Sequence, residues 1–267
     1  MNTELKDKLV ALGADTLAEA LITLSESLTE QATQDTNLQA LILNLCADDS
    51  VQSETLTQAL EQLAQTRHWI DANQAPQFAR QLSELLKQIQ RQIDDPYLGL
   101  DLVCRFYQTD EAVLRQAQDP QQHLRQVYQY QAHALFIDYA KRCDDQTWLA
   151  DKLLALIAQD DGQVRHNLWA DMGDFLDLEA RHQLIESVQN LIQQAQTPNQ
   201  RRYWQAKLCT LARLNQDGAL YEQTRLAASK FIDNAVCVDI ARVYLESDDK
   251  ANALLWLNRI PSAHSGL

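Results

Sequence analysis

Apolar residues recur at three- and four-residue spacing along nearly the whole chain, the periodicity of helices that bury one face. Leu17, Leu21, Leu24 and Leu28 form one stripe, and Leu38, Leu41, Ile42 and Leu45 the next, with Asp35 and Thr36 as caps between them. Leu56, Ala59, Leu60 and Leu63 follow, with Ser53 as N-cap. Phe78, Leu82, Leu85, Leu86, Ile89 and Ile93 make the cleanest stripe of the first half. Asp94-Asp95-Pro96 stops that helix, and Pro96 suits the first turn of the next, whose apolar face is Tyr97, Leu100, Val103, Cys104 and Tyr107. Asp119-Pro120 predicts the same device, an acidic cap with proline at the first helical position, before a long helix marked by Leu124, Val127, Tyr128, Leu135 and Tyr139. Trp148, Leu149, Leu153, Leu156 and Ile157 carry another helix, and Asp160-Asp161-Gly162 reads as a turn. Leu178 through Ala195 forms a long amphipathic helix, and Thr197-Pro198 opens one containing Trp204, Leu208, Leu211 and Ala212. Turns at 215–218 and 247–249 precede the last elements, in which Val236, Ile240, Val243 and Tyr244 face Ala253, Leu254, Trp256 and Leu257.

A dozen helices joined by short polar turns predict antiparallel neighbours. They suit a stack of hairpins, each burying its stripe on the next, better than one compact bundle. The expected fold is an all-α right-handed superhelix of antiparallel helical hairpins, a tetratricopeptide or HEAT-like solenoid. Residues 235–260 resemble a tetratricopeptide-like hairpin, with Ala241, Tyr244 and Leu245 before an acidic turn and Ala253, Trp256 and Leu257 after it. No strict period runs through the rest, so the expectation is one helical-repeat domain over 1–267, with a soft division near 143–147.

Composition agrees with helices. The chain has 6 Gly and 5 Pro in 267 residues, well under the roughly 7% and 5% of average usage. Hairpin turns of sheets demand such residues. The formal net charge of −14 repels nucleic acid and anionic lipid at long range and favours a basic partner. The closest of the five cysteines, Cys209 and Cys237, are 28 residues apart, so no Cys-x-x-Cys ligand pair exists. Each of the five lies in an apolar helical pattern and reads as a small buried thiol. The odd count, the N-terminus without an apolar leader core and the lack of a long apolar run predict a cytoplasmic protein without a membrane span.

Four local patterns in order resemble an uncharacterised bacterial all-helical family, domain of unknown function 6880. They are Leu12-Gly13-Ala14-Asp15 running into Leu17 to Leu21; Asp95-Pro96 leading into Leu100, Leu102 and Phe106; Leu149-Ala150-Asp151 followed by Asp160-Asp161-Gly162; and Ala253 to Leu257. The resemblance implies a helical-repeat fold and transfers no catalytic residue. Members usually continue into further helices, whereas this chain stops at Leu267, which implies either a natural short form or a truncation.

Candidate chemistry is sparse. The glycines are isolated, so no phosphate-cradling loop is present, and Gly13 reads as a helix C-cap. His166 and His182 flank an acidic, aromatic stretch from Asn167 to Asp174 that would need to converge to form a metal or acid–base site; helix-end histidines in water are the plainer reading. Acid pairs at 48–49, 94–95, 144–145, 160–161 and 248–249 fall at turns and read as helix caps rather than catalytic carboxylates. Arg80, Lys87 and Arg91 share one helix face with Glu84 among them, either a grip for an acidic ligand or a solvated face; Arg67, His68, Arg201 and Arg202 add local positive charge. Trp69, Tyr97, Tyr107, Tyr128, Tyr130 and Trp148 lie mostly on core stripes, and Tyr130, off its stripe, is the best exposed aromatic.

These features predict a binding scaffold, not an enzyme, with no cofactor or metal, holding a protein or peptide, most naturally a basic one. Arg80, Lys87, Arg91 and Tyr130 are the candidate partner-binding residues. The alternatives are a pocket for substrate or small ligand around 161–182 and nucleic-acid binding through the Arg80 face. A partly uncovered final helix, with Leu254 and Leu257 exposed, would pair two copies into a homodimer.

Overall fold

The structure, a computed structural model, describes residues 49–65, 69–160 and 163–260, with side chains from residue 53 on. The expected stripes between 17 and 45, the caps Asp35 and Thr36, and Gly13, Cys46, Arg67, His68 and Gly162 lie outside the described residues. The chain divides into two compact units, residues 1–56 and 57–267. The described part of the first is the opening of helix α1 (Asp49–Ala64). Ser53 lies inside α1 rather than at its N-cap. The helix already begins at Asp49, and an interior serine costs a helix little.

Among its described residues the second unit is all-helical apart from one isolated bridge. Ile70 pairs with Ala117 in parallel fashion, its N–H donating to Gln116 O at 2.8 Å and its carbonyl accepting from Gln118 N at 2.9 Å. Helix α2 (Ala75–Gln92) follows, burying Ala75, Ala79, Leu82, Leu86 and Ile89 along one stripe. Helix α3 (Pro96–Tyr107) buries Leu100, Leu102, Val103, Phe106 and Tyr107. It is apolar on almost every side because other helices surround it. The short α4 (Asp110–Arg115) leads to a continuous helix with an unusual centre: α5 (His123–Gln126), a π-helical turn (Val127–Ala132) and α6 (His133–Ala140). Then come α7 (Gln146–Ala158), α8 (His166–Ala170) and a 3-10 turn (Met172–Asp174). The C-terminal array is α9 (Leu178–Gln194), α10 (Pro198–Leu214), α11 (Gly218–Ala228), α12 (Asn234–Glu246) and α13 (Lys250–Leu257). In that array each helix packs on its sequence neighbour, as short connections require.

Acidic N-caps start six of these helices. Asp95, Asp145, Asp177, Asp217, Asp233 and Asp249 each accept from the backbone N–H three residues on, relieving helix ends of unpaired donors. Thr197 and Gln200 form a reciprocal capping box with Pro198 at the first position. Asp119-Pro120 departs from expectation, because the helix starts only at His123 and Pro120 sits in the preceding turn. That turn brings Gln122 to φ 59°, and the Asp119 carboxylate reaches past it to the N–H groups of His123 and Leu124, at 2.9 and 2.8 Å.

Helix ends are made without glycine. Gln216 and Asp248 hold the left-handed conformation, at φ 54° and 59°. The next N–H in each case closes a six-residue loop, Asp217 to Ala212 O and Asp249 to Tyr244 O, both at 2.8 Å. Few glycines therefore did not mean few such turns.

Glycine is used where helices must meet a ring. A Cβ on Gly99 would run into the ring of Tyr139, whose hydroxyl donates to the Ile89 and Ile93 carbonyls at 3.1 and 2.9 Å and closes the end of α2. Gly218 admits the ring of Tyr244 in the same way. The Tyr244 hydroxyl and the Trp256 indole N–H both donate to Glu222, at 2.7 and 2.8 Å, tying α11, α12 and α13 together. Ala241, Tyr244, Ala253 and Trp256 form the buried seam of the last hairpin, while Leu245, Leu254 and Leu257 are exposed instead of facing it.

Two substitutions test this account by urea unfolding. Gly99→Ala is expected to destabilise by about 1–3 kcal/mol through overpacking against a rigid ring. Gln216→Gly is expected to stabilise by about 1 kcal/mol, since glycine carries no left-handed penalty.

Candidate functional site

Arg80, Lys87 and Arg91 are exposed on α2. Glu84 takes up part of their charge, lying 3.6 Å from Lys87 and 3.4 Å from Arg91. Lys87 also lines a shallow groove of about 360 Å³, opposite Gln131, Ala134 and Asp138. Its far wall thus carries an acid, which leaves the groove electrically mixed. Tyr130 is 62% exposed and projects from the π-helical turn. It is not among the residues that line this groove.

The histidine stretch is not drawn into one cleft. His166 and His182 are both exposed, and the His166 ring lies 3.0 Å from Gln163 O. Trp169 is buried, its N–H donating to Lys207 O at 3.0 Å. The Lys207 ammonium stands over the Trp169 and Tyr203 rings, 5.8 and 5.2 Å from their centroids, and burial pushes its pKa down. Asp171 lies 3.0 Å from His133 on α6, a pairing that sequence spacing does not reveal. No group of three or more His, Cys, Asp or Glu side chains that could hold a metal ion occurs among the described residues.

Only part of the aromatic set is core: Tyr97 and Trp148 are half-buried, and Trp69 and Tyr130 are exposed. Tyr107 and Tyr128 are fully buried, and Tyr97 meets Trp148 edge-on at 5.1 Å.

Sequence reasoning missed a buried polar hub. Arg165 and Asp110 are both excluded from solvent. Arg165 Nε and Nη2 donate to the two Asp110 oxygens at 2.9 and 2.8 Å. Its remaining donors reach the Leu156 and Tyr107 carbonyls, each at 2.8 Å, near the ends of α7 and α3. Burial raises the Asp110 carboxyl pKa, with Arg165 pulling against that shift. Beside the hub, Tyr128 OH meets Thr109 Oγ1 at 2.8 Å, and Thr109 donates to Phe106 O at 2.7 Å. Tyr107 OH donates at 3.0 Å to Tyr128 O within the π-helical turn, supplying a side-chain partner where the helical ladder is irregular. The available signal was an arginine beside an acid-rich turn, and that pattern also describes a solvated surface.

A concave surface crosses α9, α10 and α11. Two clefts of about 370 and 500 Å³ adjoin at Gln205 and Ala227, which line both. One has Ile192, Leu208 and Leu220 in its walls. The other is edged by Arg201, Arg202 and Lys230. Of these cations, Arg201 and Arg202 belong to the positive charge singled out in the sequence.

Cys104, Cys143, Cys209 and Cys237 are free thiols. Burial pushes Cys104 up to about 12 and Cys209 to about 11. Native alkylation at pH 8, mapped by peptide mass spectrometry, is expected to leave Cys104 unlabelled until denaturant is added. Arg165→Met is expected to cost about 3–5 kcal/mol by stranding the Asp110 charge, and Asp110→Leu/Arg165→Met less than that, both read from urea midpoints.

No helix among the described residues is long and apolar enough to cross a membrane. No curated protein and no solved structure matches the chain. Residues 2–261 match the family described as "Family of unknown function (DUF6880)". That match takes in nearly the whole chain, and the chain belongs to this family.

Proposed function

We propose that the protein is a protein- or peptide-binding scaffold, a superhelix of tetratricopeptide or HEAT-like hairpins that binds rather than catalyses. The observation that carries this reading is the serial packing of α9 to α13, each helix on its sequence neighbour, with two adjoining clefts across three of them. Arrays of this kind present extended concave surfaces to partners. The free thiols suit a reducing compartment such as the cytoplasm. Arg80, Lys87 and Arg91 on α2 and Tyr130 on the π-helical turn are all exposed and open to a partner, though Glu84 and Asp138 limit the pull of the α2 charges on an acidic one.

Affinity capture from native extract at moderate salt, with mass spectrometry, tests the scaffold reading. A protein retained at near-stoichiometric yield and reduced by Arg80→Glu/Lys87→Glu/Tyr130→Ala is expected if that surface contributes. An empty capture counts against the reading.

Self-association through the last hairpin has its own support: Leu254 and Leu255 are 58% and 60% exposed, with Leu245 and Leu257 exposed as well. Light scattering is expected to give a mass that rises with concentration, and Leu254→Glu/Leu255→Glu to hold it at the monomer value. A concentration-independent monomer in the unsubstituted protein contradicts a dimer.

A further inference from the structure

We infer that the cleft across α9, α10 and α11 is built for an extended acidic peptide, one that presents an apolar side chain and, about three residues away, Asp or Glu. The inference rests on the scaffold reading and gives it a partner chemistry and a location.

Three layers of the cleft point the same way. Ile192, Leu208 and Leu220, from three successive helices, supply apolar wall, which takes one aliphatic or aromatic side chain. Gln189, Gln193, Gln205 and Gln223 stand around that wall. A glutamine amide carries both a donor and an acceptor, so it pairs with a peptide group whichever way the group faces. A row of such amides suits the main chain of an extended segment, whose N–H and C=O groups need partners once they leave water.

Past Gln205 and Ala227, the adjoining cleft is edged by Arg201, Arg202 and Lys230. All three cations are exposed, and none forms an ion pair with a carboxylate among the described residues. The contrast with α2 is direct, since there Glu84 engages both Lys87 and Arg91. The whole-chain charge favours a basic partner at long range. At contact distance the cleft offers only cations, and within a Debye length of about 8 Å the local charges dominate.

The spacing follows from helix geometry. Leu208 and Arg201 are seven residues apart on α10, about 10 Å along the axis at roughly 1.5 Å per residue. An extended peptide covers that in about three residues at roughly 3.4 Å each.

Random dodecapeptides displayed on phage, selected at physiological salt against the full-length protein, test the inference. The expected pool is enriched in Asp or Glu about three residues from an apolar side chain. A fluorescein-labelled consensus peptide should then lose at least about tenfold in affinity to Arg201→Glu/Arg202→Glu. Gln205→Ala/Gln223→Ala should weaken it further, and Lys141→Glu, at an exposed lysine that lines none of the grooves described above, should leave it unchanged. Enriched peptides that are neutral or basic overturn the inference. So does binding that survives charge reversal at 201 and 202 but is lost with the α2 charges; that result leaves the scaffold reading standing and moves the site. A selection that enriches no sequence defeats both the inference and peptide binding by this protein.

Discussion

The Arg165–Asp110 pair is the constraint on which the middle of this fold depends. Taking both charges out of water costs several kcal/mol per ion before pairing, and the structure offsets that cost with two short charge-assisted bonds and two backbone carbonyls. The geometry is demanding. The guanidinium must lie in the plane of the carboxylate while Nη1 and the second hydrogen of Nη2 reach the carbonyls near the ends of α7 and α3. Segments 107–110 and 156–165 are thereby held at one point. A merely apolar contact there would bury as much surface but would tolerate many more relative positions of the two helices.

The tyrosines around that point extend the same logic. Tyr128 and Tyr107 bring hydroxyls into the core, and each hydroxyl has a named partner. The π-helical turn fits here, because its Tyr128 carbonyl accepts from Tyr107. Tyr139 and Tyr244 do similar work farther out: a glycine on the facing helix lets the ring approach, and the hydroxyl closes a helix end or meets Glu222. Rings of fixed shape with one directional bond restrict helix spacing more tightly than leucines do.

This division of labour leaves the C-terminal array free to present a surface. Its helices are held by acidic caps, by the Glu222 junction and by the Arg213–Glu246 pair, whose bonds are 3.0 and 2.6 Å. None of these takes up the glutamines or the cations of the cleft. A scaffold whose stabilising polar groups are distinct from its concave face can vary that face without unfolding.

The sequence by itself determined the helices, because periodicity, acidic caps and proline positions are local and act within a turn or two. The stripes on α2, α9 and α10, the capping box at Thr197 and the turns at 215–218 and 247–249 were legible for that reason. The exposure of Tyr130 was legible too, since it departs from its stripe. Tertiary structure alone decided the rest. Asp110 and Arg165 are 55 residues apart, and nothing within either segment separates a buried pair from two solvated charges. The left-handed Gln216 and Asp248 follow from loop closure that overrides residue preference. Arg201, Arg202, Gln193 and Gln223 read as ordinary helix surface until three helices pack side by side and turn those surfaces into the walls of two adjoining clefts.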